Sequence, residues 1–251
     1  VEEHHQDMYE IKPIETEKSK IPLKKCMKDG TIPPAPFSMM ISGRSGSGKT
    51  NLLINLLTKK ELLKDYFHQI IVFSPTAGEF DDTYRELGLK KENFKNDFNS
   101  DDLDRLISNR KELISKKGIE FVCKNSRILI IMDDIIANRD FLNSPEALKM
   151  FALLRHYQVS IIVLVQSYNK LPRALRINAN CLMIFPSILS EVEVIIDEVC
   201  PMQLTKKQFK SVIEYCTSGR YDFLYINNKA PIKERIRKNL GEILNLDNFT
   251  N

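Results

Sequence analysis

The stretch "ISGRSGSGKT", from Ile41 to Thr50, constrains this chain more than any other. It holds three of the chain's 9 glycines. The apolar residues Phe37, Met39, Met40 and Ile41 lead into it, and the helix-periodic "TNLLINLLTKK" follows. Gly43-x-x-x-x-Gly48-Lys49-Thr50 fills every defined position of the pattern G-x-x-x-x-G-K-[ST]. Glycines let the backbone curl with successive N–H groups turned inward around an anion. The helix beginning near Lys49 aims its positive end at the same point. Gly43, Arg44, Ser45, Gly46, Ser47, Gly48, Lys49 and Thr50 are therefore expected to cradle phosphates. In this arrangement Lys49 meets the β- and γ-phosphates and the Thr50 hydroxyl ligates Mg²⁺. A Gly/Ser turn matching by accident would lack the strand before and the helix after.

A chain of 251 residues forms one large α/β domain or two small ones. Its net charge of +4 permits a nucleic-acid partner without implying one. The 5 cysteines (Cys26, Cys123, Cys181, Cys200, Cys216) are odd in number and lack a C-x-x-C pair. They read as buried free thiols of a reducing compartment rather than a zinc site or a disulfide framework. No apolar run reaches the roughly 18 residues of a membrane span. The acidic, polar N-terminus does not resemble a secretion signal, and Val1 in place of methionine suggests a removed start. His4 and His5 read as solvated tail residues rather than metal ligands.

Five short, unbroken apolar segments are expected as strands: Phe37–Ser42, Gln69–Ser74, Ile128–Met132, Val159–Val165 and Cys181–Phe185. Helical patterns alternate with them near Lys49–Lys59, Asp101–Lys116, Pro145–His156 and Leu171–Ile177. This alternation predicts an α/β fold with a mostly parallel sheet flanked by helices. Residues 1–35, rich in proline, read as an extended arm, 36–228 as the main domain and 229–251 as a basic, partly helical tail. Lys90–Asp104 reads as a solvated insert. Two later helices have possible capping boxes at Ser190/Glu193 and Thr205/Gln208. "RYDFLYINN" reads as a strand at the sheet edge.

The second half of the site lies downstream. "ILIIMDD" is a buried strand ending in Asp133 and Asp134. In a parallel sheet it opens at the same edge as the phosphate loop, so Asp133 reaches the Mg²⁺ shell and Asp134 is placed to polarise a water. The strand "VSIIVLV" ends in Gln166, whose amide suits a bond to that water or to the γ-phosphate. A turn-forming Asp-Asp and an ordinary strand-end glutamine are the plainer readings. A strand between the phosphate loop and Asp-Asp indicates the additional-strand, RecA-like class of P-loop ATPases.

Together, "PFSMMISGRSGSGKTNLL", "ILIIMDD" and "LRHYQVSIIVLVQSYNKLPRALRINAN" resemble the FtsK–HerA superfamily of DNA-pumping ATPases. Within it they are most similar to the genome-packaging ATPases of poxviruses, other large DNA viruses and virophages. The resemblance runs over roughly Pro36 to Asn227. It implies a RecA-like core, a homo-oligomeric ring (commonly a hexamer), and ATP-driven translocation of double-stranded DNA into a capsid. It also implies capsid or portal-like partners, and a place at the viral assembly site in the host cytoplasm and in the virion. Lys49 and Thr50 become the P-loop pair, Asp133 the magnesium carboxylate, Asp134 the catalytic acid and Gln166 the sensor. Most relatives carry glutamate where Asp134 stands, one methylene longer.

Arg155 stands where the superfamily often carries an arginine acting on a neighbour's nucleotide, although it also suits a helix C-terminus as a plain cation. Lys170, Arg173 and Arg176 recur at spacings of three, either to meet DNA phosphates or to cover a solvated face. Arg235, Arg237 and Lys238 form a second basic group. A GTPase needs N/T-K-x-D, which "NNKA" does not supply, and no arginine-rich kinase lid is identifiable. A P-loop scaffold that binds ATP without DNA-stimulated turnover is the rival reading.

Overall fold

In a computed structural model the described residues are 22–75, 82–96, 100–134 and 142–250. Six strands run parallel: β1 (Ser38–Ser42), β2 (Gln69–Phe73), β3 (Phe94–Lys95), β4 (Ile128–Asp133), β5 (Val159–Val165) and β6 (Cys181–Ile184). Three more, β7 (Leu224–Asn227), β8 (Ile236–Lys238) and β9 (Glu242–Ile243), continue the sheet antiparallel. The spatial order is β3-β2-β4-β5-β1-β6-β7-β8-β9. Thus β5 lies between the strand that feeds the phosphate loop and the strand that ends in Asp133.

The alternation of side chains along a strand explains why these segments read as unbroken apolar runs. On β4, Ile128, Ile130 and Met132 enter one core while Leu129 and Ile131 enter the other. On β5, Ile161, Val163 and Val165 face the first core and Ile162 and Leu164 the second. Helices cover both faces: α1 (Lys25–Lys28), α2 (Lys49–Thr58), α3 (Ser100–Lys117), α4 (Ile119–Asn125), α5 (Pro145–Leu153), α6 (Arg173–Ile177), α7 (Leu189–Val199) and α8 (Lys206–Cys216). The α5 helix starts where Ser144 accepts a bond from the Ala147 amide and Pro145 occupies the first turn. The expected box at Thr205/Gln208 opens α8.

Several expectations are corrected. No side chain caps α7, whose N-cap is Ile188, so Ser190/Glu193 is not a capping box. The Lys90–Asp104 segment is not a plain solvated insert, since β3 pairs with β2 inside it and α3 begins there. Strand β7 is interior rather than at the edge, and the tail supplies β8 and β9 together with two short 3₁₀ turns, Ile232–Glu234 and Leu246–Phe249. Nor is the stretch after residue 21 an extended arm: α1 forms there, and Cys26, Met27, Ile32 and Ala35 are buried. The folded unit therefore reaches beyond 36–228 on both sides. These contacts join distant parts of the chain, which local periodicity does not report. The remainder of the arm, with His4 and His5, lies outside the described residues.

All five cysteines are free, with Cys200 half-buried and the others buried. Among the described residues no helix is long and apolar enough to cross a membrane.

Arg237 anchors the N-terminal segment to the added strands. It is 3% exposed, and its guanidinium donates to the carbonyls of Glu234 at 3.3 Å, Leu240 at 3.2 Å and Gly30 at 3.1 Å. Tyr225 Oη donates to Thr31 O at 2.7 Å and Asn227 Nδ2 to Gly30 O at 2.9 Å. Arg237→Ala removes three hydrogen bonds to carbonyls of half-buried residues, of which the Gly30 carbonyl keeps its bond from Asn227, and is expected to lower stability by about 2–3 kcal/mol. A urea titration should show a lower midpoint at unchanged slope. Exposed Lys229→Ala should stay within about 0.5 kcal/mol of the parent.

Candidate active site

The parallel register brings three strand ends to one edge. Ser42 of β1 lies beside Val165 of β5, and Leu164 beside Asp133 of β4. The loop after β1 is pinned to this edge by Gly43 N, which donates to Val165 O at 3.0 Å. A Cβ on Gly43 would stand 2.6 Å from Phe185 Cβ and 2.7 Å from Ser47 Oγ, so only glycine lets the loop lie this close. Gly46 and Gly48 adopt φ of +75° and +105°, where side chains are strained. The turn closes through Ser47 N donating to Arg44 O at 3.1 Å.

Helix α2 then starts at Lys49 with Gly48 as its N-cap and no side-chain cap. Its first amides are thus available to an anion from outside. Ser47 Oγ is buried with no hydrogen-bond partner among the described residues. The unpartnered hydroxyl and the uncapped helix start fit the phosphate group the motif implies.

A cleft of about 300 Å³ opens over the loop. It is lined by Ser45, Gly46, Gly48, Lys49 and Thr50 together with Asp133, Asp134 and Gln166. Lys49 Nζ donates to Arg44 O at 3.0 Å. Burial pushes the Lys49 ammonium below its usual pKa, and the charges of Asp133 and Asp134 partly offset that. A polyphosphate here would complete its pairing. Thr50 and Asp133 offer the oxygen donors a Mg²⁺ ion takes. Among the described residues no group of three or more His, Cys, Asp or Glu side chains is gathered to hold a metal, so a Mg²⁺ ion here needs oxygens from a ligand or water.

Asp134 stands just past the end of β4 at φ 53°, a left-handed conformation that aspartate tolerates better than most residues. This turns its carboxylate toward β5, where Gln166 Nε2 donates to Asp134 Oδ1 at 3.1 Å. Two residues escape sequence reasoning. Tyr84, in the 3₁₀ turn Asp82–Leu87, donates its hydroxyl to Asp133 Oδ2 at 2.7 Å. Tyr221, half-exposed, closes the opposite side of the cleft. Neither belongs to a spaced motif, and only the fold carries them to the loop.

The basic candidates divide. Arg155 is exposed in the 3₁₀ turn Leu154–Tyr157, before β5 begins, at the edge away from the phosphate loop. The full length of β5, about 23 Å at roughly 3.3 Å per residue, separates it from Gln166. Lys170 and Arg173 are exposed. Arg176 departs from expectation. It is 8% exposed, with Nε donating to Glu198 Oε2 at 2.9 Å and Nη2 to Glu198 Oε1. Tyr168 Oη donates to the same carboxylate at 2.9 Å. Pro172 delays the helix to Arg173, and the turn that carries Arg176 faces Glu198 rather than solvent. In the second basic group, Arg237 is buried and Lys238 Nζ pairs with Asp222 at 3.0 Å. Arg235 donates to Ala230 O at 3.0 Å.

The strand order and the loop define a P-loop α/β protein of the RecA-like, additional-strand type. The family model "Poxvirus A32 protein" matches residues 27–236, and the chain belongs to that family. The DNA packaging protein OPG160 of vaccinia virus (strain Copenhagen) is 28% identical over 189 residues, 74% of this chain and 66% of that protein. The chain thus spans just under two thirds of that relative. The fold is also that of B204, the DNA-packaging ATPase of Sulfolobus turreted icosahedral virus, with a TM-score of 0.57 at 16% identity over 81% of this chain and 97% of that one. B204 of Sulfolobus turreted icosahedral virus 2, solved with ATP-gammaS, gives 0.53 at 15% identity over 84% and 100%.

Glu198 supplies a stability test. Burial works to raise its carboxyl pKa, but the hydrogen bonds from Arg176 and Tyr168 outweigh it and hold the group below its ordinary value. The pairing therefore stabilises the fold above the unfolded carboxylate pKa of about 4.3. That contribution is lost as pH falls through the lower folded value. Glu198→Ala leaves Arg176 buried and unpaired, and about 3–5 kcal/mol of stability should be lost at neutral pH. Thermal unfolding followed from pH 7 to pH 3 should show the gap from the parent closing on the acid side.

Proposed function

We propose that the chain is an ATPase motor that translocates double-stranded DNA and packages a viral genome into a preformed capsid. The observation that carries the reading is the convergence in one cleft of Lys49, Thr50 and Asp133 with the hydrogen-bonded pair Asp134 and Gln166. A binding loop alone would not need a second carboxylate held by an amide beyond the metal ligand. The packaging name of the vaccinia relative and the packaging ATPases that share the fold support the same direction.

In this reading the loop amides and Lys49 hold the β- and γ-phosphates of ATP. Thr50 and Asp133, the latter steadied by Tyr84, hold Mg²⁺, which when bound neutralises charge on the phosphate oxygens. Asp134 accepts a proton from the attacking water, and Gln166 fixes both the carboxylate and the water. Asp134→Asn should leave Mg-ATP binding intact while hydrolysis falls by about 10² or more. Lys49→Ala should lose both, as read by titration calorimetry and phosphate release.

Arg155 lies too far from its own cleft to act there, so it serves a neighbour's nucleotide in a head-to-tail ring, commonly a hexamer. Specific activity should rise with protein concentration and plateau once rings form. Arg155→Ala should bind ATP yet turn over slowly. Mixing it with Lys49→Ala should recover activity, because a mixed interface pairs an intact loop with an intact arginine. Full activity in Arg155→Ala alone would remove this role.

Exposed Lys170 and Arg173 are the candidates for DNA phosphates, without Arg176. Neutralising both should flatten the dependence of log affinity on log salt by about two units. Capsid or portal-like proteins are the docking partners, and the viral assembly site in the host cytoplasm, and the virion, the location. Hydrolysis measured with and without linear duplex DNA separates the motor from an ATP-binding scaffold. Stimulation by DNA supports the motor, and tight binding without stimulation supports the scaffold.

A further inference from the structure

A second cavity, of about 380 Å³, adjoins the phosphate cleft on the side of β6 and β7. Gly48, Asn51 and Tyr221 line both, so the two are continuous across the start of α2. Their linings differ. The first gathers a lysine, carboxylates and hydroxyls. The second is walled largely by carbon, with Phe185, Phe223, Leu52 and Leu240 around the Tyr221 ring. A ligand reaching across both must be anionic at one end and flat and apolar at the other.

Tyr221 is placed for this role by its neighbours. Its ring passes close to the phosphate loop, where a Cβ added at Gly48 would lie 3.2 Å from Tyr221 Cδ1. The turn that carries it is fixed by Asp222, which accepts from Gly219 N at 3.1 Å and Asn239 Nδ2 at 2.9 Å and pairs with Lys238. Phe185 and Phe223 pack behind, with ring centroids 5.2 Å apart. Even so, Tyr221 remains 53% exposed. The Arg220 guanidinium carbon lies 5.1 Å from the Tyr221 ring centroid, and an aromatic ring carried on a braced turn beside an apolar cavity is a stacking platform with little freedom to lose on binding.

We infer that this cavity is the base subsite of the nucleotide site, with the heterocyclic base of the nucleoside triphosphate stacked on Tyr221 while its phosphates occupy the loop. The assignment rests on the nucleotide reading above and adds the residue that binds the base.

Calorimetric titration with Mg-ATP and with magnesium tripolyphosphate, which lacks a base, tests it. Tyr221→Ala should weaken Mg-ATP binding about tenfold or more, the scale of one lost stacking contact. Its tripolyphosphate binding should match the parent. Tyr221→Phe keeps the ring and should bind Mg-ATP within about twofold of the parent. Leu240→Trp narrows the cavity at a distance from the loop, and it should weaken Mg-ATP while sparing tripolyphosphate. Unchanged Mg-ATP binding in Tyr221→Ala would overturn the inference. So would an equal loss of tripolyphosphate, which would make Tyr221 a support of the loop. Either result leaves the nucleotide reading standing if Lys49→Ala abolishes binding of both ligands. A parent chain that binds neither would overturn that reading and this inference together.

Discussion

The structure depends on a single alignment: β1, β5 and β4 lie side by side, parallel and in register, so that their ends open at one edge. Parallel strands need long crossovers, and those crossovers place helices on both faces and bury these three strands. In return, residues far apart in the chain arrive at the same edge without a dedicated loop to bring them. Gly43, Asp133 and Gln166 each follow or finish a buried strand, and the register alone sets their spacing. The Gly43 amide bonded to Val165 O ties the phosphate loop to this frame.

Around that edge the fold concentrates polar groups that would be costly elsewhere. Lys49 is 9% exposed and, among the described residues, has no carboxylate in a direct ion pair, and burial lowers its affinity for the proton. Ser47 Oγ is left without a partner among the described residues, and the start of α2 lacks a side-chain cap. Groups left unsatisfied in this way reduce stability unless a ligand completes them. Two buried arginines elsewhere in the fold are tied to internal acceptors instead. Arg176 meets Glu198 and the Leu171 carbonyl, and Arg237 meets three carbonyls. The contrast sets Lys49, bonded to a single carbonyl at the cleft, apart from cations used as internal ties.

The basic residues show how far spacing can mislead. Lys170, Arg173 and Arg176 recur every third position, yet Pro172 breaks the run and one of the three turns inward. A carboxylate from α7, remote in sequence, decides that orientation. Arg237 likewise looked like part of a basic tail, and is instead buried at the centre of the contacts that hold residues 30 and 31 against β7.

Local patterns were enough to determine the phosphate loop, the five central strands and the carboxylates at the end of β4. Each of these is written within a few consecutive residues, as a glycine spacing or an unbroken apolar run, and the buried parallel sheet makes such runs unambiguous. The antiparallel extension β7–β9, the burial of Cys26 to Ala35, the Tyr84 bond to Asp133 and the ring of Tyr221 beside Gly48 were decided by tertiary structure alone. Short strands with charged neighbours carry little period. A lone tyrosine carries none, so its role depends on which distant backbone the fold brings within reach.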